Sequence, residues 1–526
     1  MARLDKNSSI WRIGRLEQLF RRTGLFLWSL KGTVASESIN GFADHWHGSA
    51  TKGSKIMTGG SSWRVSDDGF DDFGWLRDLR AFGGSQARSR ARSLINNWLS
   101  QNDRWVMKSW QPDIMAKRLA NLVFCYDWYG GSANEGFQRK LSNAVRLQAR
   151  CLAIDWQRLG DCDARVEALR GLIIAEAALG ANTNDLDNLM EFLVQLVNEM
   201  LHEDGGHKSR MPDNHMNIMR NLIEIRNTGL ANQLAQLPWL DTTIAKMGAI
   251  CRMWRHADGQ FARFNGAGML SPEIIEETLS RAGEKGKLLQ KAPHTGFMRF
   301  SSGRSTVIMD VGQPAKDARI AAYGTLGFEF SVGQNLLVVN PGQNVKDSNL
   351  QRLLCSTKAH STVSVDGQSS SDFQTDRLAK ISDVELGRAK GGLLAIASHN
   401  GYNASHGIIH HRKLYLSTSG GNLRGSDRLE YSGAPGEIAR TGVVRFHLHP
   451  RVTAAMLKDQ RVLIKIKGNR TGWIFRANAT VSLDTSLFYN IEGRMNCQQI
   501  IINVSLADIR SIGTVEVKWA FQRNDS

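Results

Sequence analysis

Several features that commonly reveal function are absent from this chain of 526 residues. It has no C-x-x-C pair, and its six cysteines are dispersed without histidines at ligand-like spacing, so we expect reduced thiols that are mostly buried. No apolar run approaches the roughly 20 residues that a membrane-spanning helix needs, so we expect no integral membrane segment. Walker loops, dinucleotide fingerprints and nucleophile elbows are also missing, which removes the usual sequence grounds for nucleotide or serine-hydrolase chemistry.

Positive charge, by contrast, is abundant. The chain has 66 Lys and Arg residues against 50 Asp and Glu, which gives a formal net charge of +16. Such an excess favours anionic partners, whether nucleic acid, a membrane surface or an acidic polysaccharide. Clustered basic runs and interleaved aromatic platforms are lacking, so we expect no nucleic-acid partner.

The N-terminal segment offers a weak targeting signal. Its apolar run from Gly24 to Leu30 follows Arg21 and Arg22, as in a signal peptide, but it is short, begins late and is broken by Lys31. We therefore expect a cytoplasmic location by default, with the periplasm or cell envelope as the alternative.

Apolar residues recur at helical spacing from residue 71 to residue 290. One clear stripe consists of Leu186, Leu189, Leu193, Leu196 and Met200. Pro112 stands where a first-turn proline belongs, and Asp241 stands where an N-cap belongs. About eight to ten helices joined by short loops predict an incomplete α/α toroid. Residues 1–70 are predicted to form an N-terminal arm with one short helix.

Between residues 291 and 526 the period becomes two. At residues 442–449, Val444, Phe446 and Leu448 alternate with a basic row of Arg445, His447 and His449. Many short strands between Gly, Asn, Asp and Ser turns predict an antiparallel β-sandwich, so the whole chain is predicted to be a multidomain α and β protein. The basic row either contacts an acidic glycan or faces solvent, and solvent is favoured because charged strand faces are usually exposed.

A candidate site lies in EDGGHKSRMPDNHMNIM, residues 203–219, which joins a turn to the start of a helix near Pro212. Its candidate functional residues are His207, Arg210, Asn214 and His215. A loop at the mouth of a toroid can present side chains to a groove. The plain structural interpretation is that Asp213 and Asn214 are capping residues and that His215 is a partly exposed first-turn histidine.

Two stretches of the β half carry a family resemblance: LGFEFSVGQNLLVVNPG at residues 326–342 and KAHSTVSVDGQ at residues 358–368. They resemble the opening of the sandwich in the heparinase II/III-like family, whose better-known members are bacterial polysaccharide lyases that cleave uronate-containing glycans by β-elimination. FGWLRDLRAFGG at residues 73–84 and RFHLHP at residues 445–450 extend the resemblance over nearly the whole chain. The resemblance implies a toroid followed by a sandwich, with an anionic polysaccharide in a groove between them.

The resemblance also assigns roles to residues of the first candidate site. The family's D-G-x-H, followed eight residues later by a second histidine, falls on His207 and His215. Elimination at a uronate requires that its carboxylate be neutralised, that a base remove the C5 proton and that an acid protonate the leaving oxygen. By this resemblance Asn214 polarises the carboxylate and His215 assists it or acts as the base. His207 and Arg210, which lie in the same window, are the candidate substrate-binding residues.

Most other residues expected from the family are replaced. Its H-x-H-x-D and its aspartate before Pro-Gly fall on Ile320, Ala322, Gly324 and Asn340, whereas His360 alone matches the histidine of A-H-x-T. One surviving ligand cannot hold the family's structural zinc, so we predict no metal and no other cofactor. The usual acid is a tyrosine, and none lies between Tyr129 and Tyr323, so Tyr323 is the candidate replacement.

The leading hypothesis is therefore a polysaccharide lyase, with its enzymatic activity uncertain. Its predicted catalytic residues are Asn214, His215 and Tyr323, and its predicted substrate-binding residues are His207, Arg210, His360, Arg445 and His447. The principal alternative is a catalytically degenerate protein that binds glycan or serves envelope assembly. An inverting hydrolase that uses Glu203 and Asp213 is less favoured.

Overall fold

The computed structural model describes residues 11, 13–31, 39–59, 69–283, 286–315, 322–342, 347–373, 375–469 and 471–524. The chain divides into two compact units. The first unit comprises Met1–Met200 and Ile218–Ile244, and the second comprises Leu201–Asn217 and Ala245–Ser526. The predicted domain boundaries at residues 70 and 290 stay predictions.

The N-terminal half of the described chain is helical. Its α-helices are α1 (Arg15–Arg21), α2 (Gly24–Ser29), α3 (Ala50–Thr58), α4 (Trp75–Phe82), α5 (Gly84–Gln101), α6 (Pro112–Phe124), α7 (Tyr126–Tyr129), α8 (Glu135–Asp155), α9 (Cys162–Ala178), α10 (Thr183–Met200), α11 (Pro212–Asn232), α12 (Leu237–Trp254) and α13 (Pro272–Ser280). Among the residues described, no helix is long and apolar enough to cross a membrane.

The C-terminal half is built from antiparallel strands with three short helices between them. The strands are β1 (Lys291–Ala292), β2 (Phe297–Ser302), β3 (Ser305–Asp310), β4 (Phe328–Val332), β5 (Asn335–Val338), β6 (Val363–Val365), β7 (Ile381–Ala389), β8 (Gly392–Tyr402), β9 (Ile408–Ser417), β10 (Asn422–Tyr431), β11 (Thr441–His447), β12 (Val452–Met456), β13 (Val462–Ile466), β14 (Gly472–Ala477), β15 (Val481–Asn490), β16 (Gly493–Ser505) and β17 (Thr514–Asn524). The short helices are α14 (Ser348–Cys355), α15 (Asn403–His406) and α16 (Ile509–Ile512). Helices followed by antiparallel sheets confirm the predicted fold class, a toroid and then a sandwich.

Helix α9 lies at the centre of the first unit, where it packs against α6, α8 and α10. The approach to α6 is so close that a Cβ on Gly171 would lie 2.4 Å from the Cα of Ala116, so only glycine fits there. Helix α6 begins at Pro112 as predicted. The N-cap prediction for Asp241 is wrong, because α12 already begins at Leu237 and carries Pro238 in its first turn.

The second unit contains three sheets, with strand orders β1-β2-β3-β4-β5, β12-β13-β14-β17-β10-β9-β8-β7 and β15-β16-β11-β6. One hydrophobic core joins all three. Phe328 of β4 stacks on Trp519 of β17 with ring centroids 5.7 Å apart, and Phe446 of β11 contacts the same tryptophan at 4.6 Å. The alternation predicted around residue 444 therefore buries Phe446 against the other sheets.

Candidate functional site

The loop that opens the first candidate site is fixed to residues of the second unit. Leu201 and His207 form an antiparallel bridge. The Asp204 carboxylate accepts hydrogen bonds from the Thr295 amide at 2.8 Å and the Thr295 hydroxyl at 2.5 Å. Burial alone would raise the pKa of Asp204, but the bonds from Thr295 outweigh burial and lower that pKa. Gly206 is required here because a Cβ would lie 1.8 Å from the Thr295 hydroxyl oxygen.

Arg210, a predicted substrate-binding residue, has its guanidinium engaged in contacts within the protein. Its side chain is 3% exposed. The guanidinium donates to the carbonyl oxygens of Thr295 at 2.8 Å, Gly296 at 3.1 Å and Gln313 at 3.0 Å, and it pairs with Asp310. A guanidinium engaged on this many sides holds the loop to strands β2 and β3, and this geometry speaks against its contacting substrate.

His215, the predicted base, is fully buried. Its Nδ1 accepts a hydrogen bond from the His207 amide at 3.2 Å, and its Nε2 lies 2.9 Å from the Met247 carbonyl oxygen, to which it donates. The ring also meets Trp254 edge-on at 5.2 Å. Burial lowers the pKa of His215 to about 3, so the ring is neutral at pH 7 with both nitrogens engaged. This geometry speaks against a catalytic role. His215 does lie in the first turn of α11, but the expectation that it is partly exposed is wrong.

The other residues of this loop gather around Ser209. The Nδ1 of His207 accepts from the Ser209 amide at 3.0 Å and lies 2.7 Å from the Ser209 hydroxyl. Asn214 is half-buried, with its Nδ2 at 3.5 Å from the same hydroxyl. The structure thus brings His207 and Asn214 together around Ser209. His207 is buried, whereas Ser209 and Asn214 are both half-buried.

The two carboxylates of the hydrolase alternative lie in different surroundings. Asp213 is 5% exposed, and its Oδ2 accepts from the amides of Gly268 and Met269 at 3.1 and 2.7 Å. Burial raises the pKa of Asp213. Glu203 has an 86% exposed side chain and lies 3.4 Å from the imidazole of His294. Asp213 therefore supports a turn, whereas Glu203 faces solvent.

Tyr323, the candidate acid, is half-buried beside α14. Its ring contacts Phe373 at 5.4 Å, and its hydroxyl oxygen accepts from the Phe373 amide at 3.4 Å. Burial raises the pKa of Tyr323, which keeps the phenol protonated. The side chain is thus held by one neighbouring loop, and its predicted role as an acid stays a prediction.

At the positions of the family's zinc ligands, hydrogen bonds join the residues that remain. His360 is 3% exposed, and its Nδ1 lies 2.9 Å from the Oδ1 of Asn340. Burial lowers the pKa of His360 to about 4. A Cβ on Gly324 would lie 2.8 Å from the imidazole of His360, so the ring fills the space that a side chain at 324 needs. Ile320 lies outside the described residues. An amide and one histidine do not fit zinc, which prefers at least three protein side chains.

The buried Glu329 connects this pair to a second histidine. Its Oε1 accepts from the amides of Arg263 and Asn340, both at 2.9 Å, and its Oε2 lies 3.1 Å from the Nε2 of His256. Burial would raise the pKa of Glu329, but the hydrogen bond and charge of His256 and the two backbone amides together outweigh burial and lower that pKa. A buried anion is therefore held within the second unit by donors on all sides.

The basic row of β11 is less exposed than predicted. His447 is 4% exposed, and its two ring nitrogens lie 2.7 Å from the Ser486 hydroxyl and 3.0 Å from the Lys358 carbonyl oxygen. Burial lowers the pKa of His447 to about 3. The prediction that this histidine faces solvent is wrong. Arg445 is half-buried, and it donates to the Ser364 hydroxyl at 2.8 Å.

The histidine-rich strands β8 and β9 form a buried network. His410 lies between His399 at 3.1 Å and the Asp427 carboxylate at 2.8 Å, and Arg412 donates to the same carboxylate at 2.7 Å. No group of three His, Cys, Asp or Glu among the described residues has the geometry to hold a metal ion. The network therefore satisfies buried polar groups between adjacent strands.

An arginine-lined cleft of about 390 Å³ lies in the second unit. Its lining residues are Arg252, Arg255, His256, Ala257, Gly259, Glu276, Leu279 and Arg299. Arg299 donates to the Met253 and Arg255 carbonyl oxygens at 3.1 and 2.8 Å, at the C-terminal end of α12. Arg255 pairs at 2.5 Å with Glu276, which is the one carboxylate among the described residues that line the cleft.

Two guanidiniums in this cleft retain buried donors. Among the described residues, the Nε and Nη2 of Arg252 and the Nε of Arg299 have no hydrogen-bond partner. Burial lowers the pKa of Arg299 to about 10. Unsatisfied buried donors cost free energy, and an oxyanion placed in the cleft would satisfy them. The arginine cleft is therefore the described site whose chemistry best suits an anionic ligand.

Sequence reasoning missed the arginine cleft. Arg252 and Arg255 stand three residues apart at the end of a helical stripe, which places them on one face. That spacing was a usable signal. Arg299 lies on β2, 44 residues beyond Arg255 in sequence, and only the tertiary fold brings its side chain to the end of α12.

Comparison with known proteins agrees with this architecture. Residues 284–520 match the family model described as heparinase II/III-like, C-terminal. FtsZ-localized protein C of Caulobacter vibrioides is 25% identical over 467 residues, which cover 85% of this chain and 80% of that protein.

Solved structures of polysaccharide lyases share the fold. A heparinase III structure superposes with a TM-score of 0.68 at 14% identity, covering 95% of this chain and 89% of that one. The heparan sulfate lyase HepC from Pedobacter heparinus gives a TM-score of 0.64 at 13% identity, covering 88% of this chain and 78% of that one. At such identities the likeness shows the fold alone.

Proposed function

We propose that this chain, whose residues 284–520 match the heparinase II/III-like C-terminal family model, binds an anionic glycan without cleaving it and serves envelope assembly. The observation that carries the proposal is the state of His215. Both nitrogens of this imidazole are engaged inside the protein, so it has no lone pair to offer the C5 proton of a uronate. The family's fold is kept, while the side chain best placed to be the base is structural.

The arginine cleft supports the binding part of the proposal. Within the described part of the chain, its three guanidiniums face one lining carboxylate, Glu276, and buried donors of Arg252 and Arg299 have no partner. Guanidiniums suit carboxylate and sulfate groups because their N–H donors match two oxygens at once. We propose that Arg252 and Arg299 hold such a group of the glycan.

The relative from Caulobacter supports the cellular part of the proposal. Its name states that it localizes with FtsZ. By analogy we propose that this chain also acts where FtsZ assembles. A fluorescent fusion of this chain, imaged together with FtsZ in its own host, tests the idea, and a distribution independent of FtsZ would overturn this part of the proposal.

A panel of uronate polysaccharides tests the central claim. The protein is incubated with each glycan while the ultraviolet absorbance of unsaturated sugar is followed, and binding is measured by titration calorimetry. We expect binding without products. New absorbance would establish a lyase in place of a binding protein, products without absorbance would indicate a hydrolase, and the absence of binding to every glycan would remove the glycan from the proposal.

Variants of the cleft locate the binding site. We expect Arg252→Gln to weaken glycan binding about tenfold, since a charged hydrogen bond contributes roughly 1.5 kcal/mol or more. Arg139→Gln is the matched control, because Arg139 has a 64% exposed side chain in the first unit. Equal affinities of the two variants would place the glycan elsewhere.

A further inference from the structure

The first two helices expose a concentration of large apolar side chains. Within 13 residues, Leu16, Leu19, Phe20, Leu25 and Trp28 are exposed by 84, 60, 47, 66 and 70%. We call these five residues the apolar face. Single exposed apolar side chains are normal on a protein, but a cluster of this size marks a surface that another body covers.

Both helices are held to the first unit from their other side. Arg21 is 1% exposed and donates to the two carboxylate oxygens of Asp155 at 2.5 and 2.7 Å. Phe26 and Leu30 are buried, and the Leu30 carbonyl oxygen accepts from Arg150 at 2.7 Å. The apolar face is therefore presented by anchored helices, and its exposure is not the fraying of a chain end.

Basic residues stand beside the apolar face in the sequence. Arg15, Arg22 and Lys31 are exposed, and the acidic residue of these helices, Glu17, is neutralised by Arg21 at 2.6 Å and Arg158 at 2.5 Å. The formal charge of the whole chain is +16. Leucine, phenylalanine and tryptophan beside arginine and lysine are typical of short helices that lie in the interface of an anionic bilayer.

We propose that the apolar face binds the surface of a membrane that contains anionic lipid. Leu16, Leu19, Phe20, Leu25 and Trp28 enter the boundary between headgroups and acyl chains, and the three basic residues contact lipid phosphates. Tryptophan suits this depth because its ring is apolar and its N–H is polar. A second copy of this chain is also positively charged, so it would place like charges against the basic residues beside the apolar face. Anionic lipid has the opposite charge, so charge complementarity favours lipid over self-association.

Sedimentation with vesicles tests this proposal on the full-length protein. The probes are vesicles of phosphatidylcholine alone and of phosphatidylcholine with one-third phosphatidylglycerol. We expect binding to the anionic vesicles that weakens as salt is raised. The double variant Leu25→Glu and Trp28→Glu is expected to reduce the partition coefficient about tenfold or more, since two large apolar side chains are lost from the interface.

The matched control is Leu230→Glu, because Leu230 is 61% exposed in the same unit but lies outside the apolar face. All three proteins should give the same circular dichroism and unfolding curves, since the changed residues are exposed.

Equal vesicle binding by the double variant and the control would overturn the proposal, as would absence of binding to anionic vesicles. Concentration-dependent dimerisation that the double variant abolishes would assign the face to a second copy. The glycan titrations do not involve these residues, so either proposal can fail alone.

Discussion

The two units bury polar groups by different means. In the first unit the centre is an ion-pair cluster: the Glu224 carboxylate accepts from the Trp46 indole at 2.7 Å and from Arg77 at 3.0 Å, and it also pairs with Arg170. The second unit also has buried ion pairs, but eight histidines are buried there as well, and 12 of the 14 histidines of the chain lie in this unit. Carboxylate–guanidinium pairs keep both charges across the physiological pH range, whereas acid favours the charged form of a histidine, which a buried neutral imidazole cannot adopt without cost. The two units should therefore respond differently to pH and to loss of a partner.

Mild acid gives the largest expected difference between the units. His215, His360 and His447 have folded-state pKa values of about 3, 4 and 3, below the value of about 6.5 expected in the unfolded chain. Their contribution to stability is present above pH 6.5 and is lost as pH falls toward 4, because the unfolded state takes up protons that the folded state refuses. For each of these histidines the free energy of unfolding falls by about 1.4 kcal/mol per pH unit below pH 6.5. The three together should therefore remove several kcal/mol of unfolding free energy by pH 5.

Hydrogen exchange of peptides at pH 7 and pH 5, corrected for intrinsic rates, separates the two units. Peptides of the second unit should lose protection well before those of the first. Equal loss in both units would mean that the buried histidines do not control the acid response.

Breaking the ion-pair cluster is the next largest effect. Glu224→Gln leaves Arg77 and Arg170 facing an amide in a buried site, which should lower the free energy of unfolding by about 3 to 5 kcal/mol. Urea unfolding measures it. Glu135→Gln is the control, because Glu135 is 90% exposed at 3.8 Å from Arg139 and its loss should change little. A small effect of Glu224→Gln would show that the first unit does not depend on paired charge.

A substitution of His215 in the first candidate site distinguishes a structural role of this histidine from a catalytic one. His215→Gln removes a fully buried ring whose two nitrogens are bonded, so we expect about 2 kcal/mol of destabilisation. Glycan affinity of the folded fraction should stay unchanged. Asn214→Ala changes a half-buried side chain and should cost less. If His215→Gln instead kept full stability and lost glycan binding, the structural role assigned to this histidine would be refuted.

Periodicity predicted the order of helices and strands, and local chemistry predicted some of their ends. Pro112 begins a helix because its missing N–H is harmless in a first turn. Asp241 carried a similar signal and was misleading, since Pro238 had already begun the helix. A cap is thus recognisable from sequence only when no stronger start signal precedes it.

The burial of polar side chains could not be predicted from the local sequence pattern. The family spacing directed attention to His215, and its place in the same loop to Arg210, but their partners are Met247 and Asp310, far along the chain. His447 alternates correctly with Phe446, yet Ser486 of another strand covers it. Whether a histidine is a ligand or a core residue depends on contacts that only the tertiary fold creates.

The smallest expected effect concerns the remnant of the family's zinc site. Asn340 uses its Oδ1 toward His360 at 2.9 Å and its Nδ2 toward the ionised Glu329 at 3.3 Å. Asn340→Asp keeps the shape but places two carboxylates together, which should lower the unfolding free energy at pH 7 by about 1 to 2 kcal/mol. It should also raise the pKa of His360, because a carboxylate favours the imidazolium.

The sign of the pH dependence distinguishes electrostatics from packing at this position. As pH falls from 7 to 5.5, His360 of the folded wild-type protein stays neutral, whereas His360 of the folded variant takes up a proton. The wild-type protein therefore loses more unfolding free energy, and the difference in unfolding free energy between the two proteins should narrow. Urea unfolding at the two pH values, with Asn340→Ala as the control that adds no charge, measures it. If the difference in unfolding free energy between the wild-type protein and Asn340→Asp stayed constant with pH, the amide of Asn340 would contribute through packing alone. A narrowing gap would show that replacing the family's aspartate by asparagine is what allows His360 to stay buried and neutral beside Glu329.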